Sequence, residues 1–258
     1  MSTQQRKPFN ILVIGESCLD VFIYGACSRM SPEAPVPVLD ANKKIESDGM
    51  AGNVASNLLG LGCNVMLITD DSVATKTRYI DERSNQHLVR VDTSRSVEPL
   101  NVNRFDQIKD EIDAVIFSDY NKGFLPHSVI IESLNKIQDS LNCPVFVDSK
   151  KSDLSCYTNC TMKINEKEFN IAKSTIDSSV TLIQTLGKNG AQWNNKMFKG
   201  NVVDVFDVAG AGDTFLSGYV ARFLETRDVE KSIKFANKCA AFAVSKRGAY
   251  AIQSGDVA

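Results

Sequence analysis

Two carboxylates, Asp207 and Asp213, bracket the small residues Gly210, Ala211 and Gly212 in the stretch DVAGAGDTF at 207–215. From Asp213 onward, Phe215, Leu216, Tyr219, Val220, Phe223 and Leu224 form a stripe of helical period. The glycines therefore sit at a helix N-terminus, where free backbone N–H groups and the positive end of the dipole make an anion site. Glycine lets the backbone approach a phosphate closely. Neither the Walker pattern nor the Rossmann fingerprint fits, because Asp213-Thr214-Phe215 follows the glycines. An acid beside an anion hole makes sense if a phosphoryl group is transferred and the acid takes a proton from the attacking hydroxyl. Asp213 would be that base, and the 210–212 amides would stabilise the phosphoryl charge. Spacing alone leaves a second reading open, in which Asp213 only complements the helix dipole.

The elements that must position this turn are legible as alternation. NILVIG (10–15), NVMLIT (64–69), DAVIFSD (113–119), PVFVD (144–148) and VTLIQTLG (180–187) read as short, nearly all-apolar strands. Such runs suit a parallel sheet covered on both faces. Candidate helices lie between them at 50–61, 103–112, 127–141 and 166–173, and a last helix spans about 229–246, stopping near Gly248. The expectation is a doubly wound, mostly parallel α/β sheet with helices on both faces. Two stretches break the rhythm, APVPVLDANKKIESD (34–48) and TKTRYIDERSNQHLVRVD (75–92). They predict a small antiparallel sheet standing off the main one as a lid or dimer surface. Ser118, Asp119, Tyr120 and Lys122 end a parallel strand, where α/β sheets place ligands, although a tight turn explains them equally well.

Composition narrows the partners. The 258 residues, 43% apolar and 23% charged with a net charge of −2, fit one globular domain over 1–258. The charge gives no signal for nucleic acid or an anionic membrane, and no apolar run reaches the roughly 20 residues of a membrane span. Seven scattered cysteines and two histidines describe neither a disulfide framework nor a zinc site. Reduced thiols and the absence of a signal-peptide core predict a cytoplasmic protein.

DVAGAGDTF resembles the C-terminal signature of the ribokinase-like (PfkB) family of carbohydrate kinases, and GMAGNVASNLLGLG (49–62) resembles its N-terminal one. SRMSPEAPVPVLD (28–40), the 75–92 segment, SDYNKGFL (118–125) and INEKEF (164–169) further resemble the heptose-7-phosphate kinases, which supply the ADP-heptose precursor of lipopolysaccharide. The resemblance runs through nearly the whole chain. It implies a ribokinase-like fold with a small β lid, ATP and Mg²⁺ as cofactors, and a sugar or sugar-phosphate acceptor. A K⁺ requirement stays open.

Carried over by residue, the resemblance implies that Asp213 is the base and that Gly210, Ala211 and Gly212 form the anion hole. Asp20, Gly49 and Asn53 would line the sugar site, and Arg29, Lys76 and Arg78 would grip the substrate's own phosphate or the lid, with Arg90 in the same lid segment. Asn165 and Glu168 match an N-x-x-E motif that organises magnesium-bound phosphates through water, and Thr185, Gly187 and Asn237 would line the nucleotide pocket. Each has a bland alternative: Asp20 as a turn residue, Asn53 as a helix cap, Glu168 on a solvated face, Arg78 and Arg90 as guards of a strand edge.

Two departures stand out. Gly49-Met50 replaces the family's Gly-Gly pair, and only SVA (72–74) separates LITDD from the lid strand, where the family has a helix and another strand. That loss should remove an edge unit from the sheet, and the exposed lid strands predict a homodimer. The readings left open are a kinase for another sugar or nucleoside, such as fructose or ribose, and a non-catalytic relative that binds sugar phosphate or nucleotide.

Overall fold

The computed structural model describes residues 7–71, 74–93, 96–108 and 111–257. Its strands are β1 (Asn10–Gly15), β2 (Ser17–Met30), β3 (Pro37–Met50), β4 (Asn64–Ile68), β5 (Ala74–Asp81), β6 (Gln86–Thr93), β7 (Ala114–Asp119), β8 (Val145–Ser149), β9 (Thr161–Asn165), β10 (Thr181–Thr185), β11 (Ala191–Trp193) and β12 (Lys196–Phe198). Its helices are α1 (Ala51–Gly60), α2 (His127–Ser140), α3 (Glu166–Ala172), α4 (Ala211–Thr226) and α5 (Val229–Val244).

The apolar runs become the centre of an eight-stranded sheet of order β12-β11-β10-β9-β8-β7-β1-β4. Pairing is parallel from β4 through β10 and antiparallel at the β11 and β12 edge. Side chains alternate across a strand, so β1 serves two cores. Ile11 and Val13 pack with α1, α4 and α5 residues such as Leu58, Tyr219 and Ile233. Leu12 and Ile14 pack with Val115, Phe117 and the α2 residues Ile130 and Ile137. Burial on both faces explains why these strands carry almost no polar residues.

A second sheet, of order β3-β2-β5-β6, forms the lid. It is mixed rather than antiparallel as expected, because β2 runs parallel to β5 while β2–β3 and β5–β6 are antiparallel. Its core of Phe22, Tyr24, Ile80 and Ala249 has Ala209 packed against it, which ties the lid to the phosphate turn.

Three other expectations need correction. The 14-residue strand β2 was not foreseen, and it turns Asp20 from a turn residue into a mid-strand one. The helix expected at 103–112 is a 3₁₀ stretch at Val102–Gln107. The final helix ends at Val244, so Gly248 is not its cap; Gly248 adopts φ 75° beside the Phe22 ring. The segment expected to lack an edge unit does lead directly to the lid, and the main sheet ends on β4. Two of the residues in that connection, 72 and 73, lie outside the described residues.

Candidate active site

Strands β1, β7, β8 and β9 end side by side, and the turn before α4 meets them there. Gly210 caps α4 in the left-handed conformation, φ 75°, and a Cβ on it would lie 2.5 Å from the Asn53 amide nitrogen. Both conditions demand glycine. The amides of the first helical turn have no intrahelical acceptor. A Cβ on Gly212 would stand 3.0 Å from the Lys163 ammonium, so a buried cation borders the same cradle.

Asp213 lies in the first turn of α4 and is 4% exposed. Asn53 Nδ2 donates to its Oδ2 at 2.9 Å, and the Tyr120 hydroxyl donates to its Oδ1 at 2.8 Å. The Asn53 amide is itself oriented, because Asn57 Nδ2 donates to Asn53 Oδ1 (3.0 Å) while Asn57 Oδ1 accepts from the Ile252 amide (3.0 Å). Burial first, and then the Asp148 charge, lift the Asp213 carboxyl above the ordinary carboxylate value; the Asn53 and Tyr120 donors and Lys163 pull the other way. A buried acid with a raised pKa and one face toward an anion cradle is suited to accepting a proton near neutral pH.

A chain of charges flanks the base. Lys163 pairs with Asp148 Oδ2 at 2.5 Å, Lys150 pairs with Asp148 Oδ1 at 3.1 Å, and Lys150 also pairs with Glu168 Oε1 at 2.7 Å. Burial works against the Asp148 carboxylate, yet its two lysines hold its pKa below the ordinary value. Burial likewise opposes the Lys150 ammonium, and Asp148 and Glu168 outweigh it and raise its pKa. Asn165 and Glu168 form a reciprocal capping box at the start of α3, with bonds of 2.9 and 2.8 Å. Glu168 is thus neither a solvated face nor free.

The sugar-side residues assemble from the lid. Asp20 on β2 and Arg78 on β5 form a buried ion pair at 2.5 Å, each side chain about a tenth exposed. A Cβ on Gly49 would collide with the Asp20 carboxylate and with Cys18. Lys76 reaches over the Tyr120 ring, 5.2 Å from its centroid. The chain does not bring one expected residue to this cluster: Arg29 is exposed at the far end of β2, nine positions beyond Asp20. Arg90 stands opposite Arg78 in the ladder, close enough for its charge to act on Asp20, and makes a bidentate pair with Asp92 at the rim of the cluster.

On the nucleotide side, Thr185 ends β10 and Gly187 follows at φ 56°. Asn237 is buried on α5 and donates to the Phe198 and Lys199 carbonyls at 3.0 and 3.3 Å, so its amide ties α5 to β12. Asp207 accepts from the Ala209 amide at 2.9 Å and braces the phosphate turn.

Lys163, Asp148 and Lys150 were not singled out from sequence. Lys163 interrupts the otherwise apolar run TMKI, and a charge buried in a strand was the available signal. Tyr120 was noted only as the end of a strand. The donor set of first-turn amides, Lys163 and Lys150 fits a polyphosphate. Glu168, paired with Lys150, is the carboxylate of this set, and a magnesium ion, which keeps much of its hydration, would need no dedicated cage beside it.

Comparison with known proteins agrees with this geometry. Eight parallel and antiparallel strands with a β lid match the ribokinase-like fold. Phosphofructokinase-2 from Escherichia coli, in complex with potassium, superposes with a TM-score of 0.74 at 14% identity, covering 97% of this chain and 96% of that one. Ribokinase from Arabidopsis thaliana, complexed with ribose and ATP, superposes with a TM-score of 0.71 at 12% identity, covering 97% and 98%. The bifunctional protein HldE of Campylobacter curvus is 31% identical over 97% of this chain. That alignment runs over 303 positions, more than the 258 residues of the chain. The chain spans 64% of the length of that relative. The family of pfkB carbohydrate kinases matches residues 129–254. The chain carries a PfkB carbohydrate kinase domain.

Proposed function

We propose that the protein is an ATP-dependent sugar kinase, and that its acceptor is the anomeric hydroxyl of D-glycero-D-manno-heptose 7-phosphate. The observation that carries the reaction class is Asp213, buried and held by two donors at the mouth of an anion cradle. The acceptor rests on the resemblance of residues 28–40, 75–92 and 164–169 to heptose-7-phosphate kinases, and on the similarity to HldE proteins.

In this reading the sugar hydroxyl lies against Asp213 and Asp20. Its proton passes to Asp213 as its oxygen forms the new bond to the γ-phosphorus, and the bond to the nucleoside diphosphate breaks in line. Of the amides expected to form the anion hole, that of Ala211 already donates to the Val208 carbonyl at 3.3 Å, so the Gly212 and Asp213 amides, with Lys163, stabilise the charge that builds on the transferring oxygens. Lys76 and Arg78 face the acceptor's phosphate from the lid. Glu168 would hold a magnesium ion through water, and the ion would supply positive charge to the nucleotide phosphates. Closing the lid excludes water, which would otherwise compete as the acceptor.

A panel of acceptors tests the proposal. ADP release is measured with heptose 7-phosphate, fructose, fructose 6-phosphate, ribose and a nucleoside. The expected result is a kcat/KM for heptose 7-phosphate at least about a hundredfold above those of fructose, ribose and the nucleoside, since a site built to pair a charged group rejects analogues lacking it, with fructose 6-phosphate, which keeps the phosphate, falling between. Preference for another sugar would keep the kinase and replace its substrate. Tight binding without transfer to any acceptor would make the protein a binding relative.

A further inference from the structure

We propose that Tyr120 is a positioning residue for phosphoryl transfer, whose hydroxyl fixes the orientation of Asp213 and keeps it ionised. The proposal rests on the reading of Asp213 as the base.

The backbone of Tyr120 is fastened first. Glu16, buried at the end of β1, accepts from the Tyr120 amide (2.8 Å), the Lys122 amide (2.9 Å) and the Phe124 amide (3.3 Å). Asp119 accepts from the Asn121 amide at 2.9 Å, and Asn121 takes φ 56°. Two carboxylates thus hold the backbone of this loop. The ring is fixed next. The Lys76 ammonium lies 5.2 Å from its centroid on the lid side, and the Lys150 ammonium lies 5.6 Å from it on the β8 side. Ammonium groups at this range favour an aromatic face. The hydroxyl is left one direction, and it meets Asp213 Oδ1 at 2.8 Å.

The chemistry of this contact is specific. A carboxylate has about four lone-pair sites, and Tyr120 and Asn53 occupy one on each oxygen. One site per oxygen remains for an incoming hydroxyl. A donor stabilises the ionised carboxylate, whereas burial and the Asp148 charge favour the protonated acid. The charged and polar groups facing Asp213 are Asn53 from α1, Tyr120 from the loop after β7, Asp148 from β8 and Lys163 from β9. Among these, Tyr120 and Asn53 are the two direct donors to the carboxylate. Burial holds the Tyr120 phenol well above its ordinary pKa, so it stays a donor throughout. During transfer the sugar proton goes to Asp213, the sugar oxygen bonds to phosphorus and the nucleoside diphosphate leaves. Tyr120 keeps its proton and only maintains the approach geometry.

The test removes one oxygen atom. Tyr120→Phe keeps the ring between its two ammoniums and deletes the donor. The Asp213 side-chain carboxyl is followed by ¹³C NMR in protein labelled at aspartate, its resonance assigned by loss in Asp213→Asn. The titration midpoint of Asp213 is expected to move to higher pH in Tyr120→Phe. With the kinase substrate, kcat at pH 7 should fall about tenfold, the value of one hydrogen bond to a charged group, and recover as pH rises. Tyr157→Phe is the matched control. It deletes a buried phenol bonded to Asp119 (2.9 Å) without touching Asp213, and should leave the Asp213 midpoint in place. An unchanged Asp213 midpoint in Tyr120→Phe would overturn the proposal. The NMR reading does not depend on turnover, so a failure of the kinase reading shows separately, in the acceptor panel.

Discussion

Asp213 is surrounded by groups that disagree about its proton, and this conflict is useful to a general base. With Asp213 as the proposed base, its raised carboxyl pKa predicts that activity falls as pH falls through a midpoint above the ordinary carboxylate range. Asp148→Asn removes the second-largest cause of the elevation, so the acid limb of kcat/KM against pH should move to lower pH. A limb that stays in place would show that some other group titrates. Asp20 and Arg78 are a buried pair, and breaking such a pair by removing one partner costs about 3–5 kcal/mol. Arg78→Ala should therefore lower the chemical denaturation midpoint sharply, and Asp20→Leu combined with Arg78→Met should recover much of the loss. Met50 is different again. It replaces the family's glycine at φ 60°, ψ −129°, where an L-residue is strained, and its side chain is 4% exposed. Strain of about 1–3 kcal/mol nearly offsets the roughly 2–3 kcal/mol from burying the thioether side chain. Met50→Gly should thus change stability by less than about 1.5 kcal/mol in urea unfolding, while Leu58→Ala, a fully buried residue in the helix that Met50 precedes, should cost about 2–5 kcal/mol.

At the scale of elements, the site is made from ends. The phosphate turn was legible because its glycines, its acid and the stripe of α4 lie within one continuous stretch. The apolar strands were legible because both their faces are covered. The lid strand β2 was not, since SCLDVFIYGACSRM mixes buried and exposed positions and owes its length to pairing with β3 and β5. Lys163 within β9, Asp148 in β8 and Tyr120 just after β7 come from three separate elements, so no local spacing could join them. The α3 capping box has a consequence of its own. Asn165→Ala removes a side-chain cap worth about 1 kcal/mol: the Glu168 amide loses its acceptor, and the Glu168 carboxylate, still bonded to the amide of residue 165 and to Lys150, is left on a less firmly held first turn. A small fall in melting temperature and a raised KM for ATP should appear together. A fall in stability with unchanged KM would limit the motif to helix capping.

At the scale of the molecule, two sheets meet over one acid. The main sheet brings cations and the anion cradle to its carboxyl ends, as open α/β sheets do, and the lid supplies Asp20, Arg78 and Lys76 from the other side. The short connection after β4 leaves that strand as the sheet edge without disturbing these ends. The lid's contact with Ala209 couples it to the turn that carries Asp213. No helix among the described residues is long and apolar enough to cross a membrane. The central claim is that Asp213 takes the proton of a sugar hydroxyl during phosphoryl transfer. Single-turnover transfer from ATP to heptose 7-phosphate, measured for the wild type and Asp213→Asn with ATP binding followed in parallel, tests it most directly. The account predicts a loss of at least about 10²-fold in the transfer rate with ATP affinity retained; transfer at a near-normal rate in the variant would contradict it.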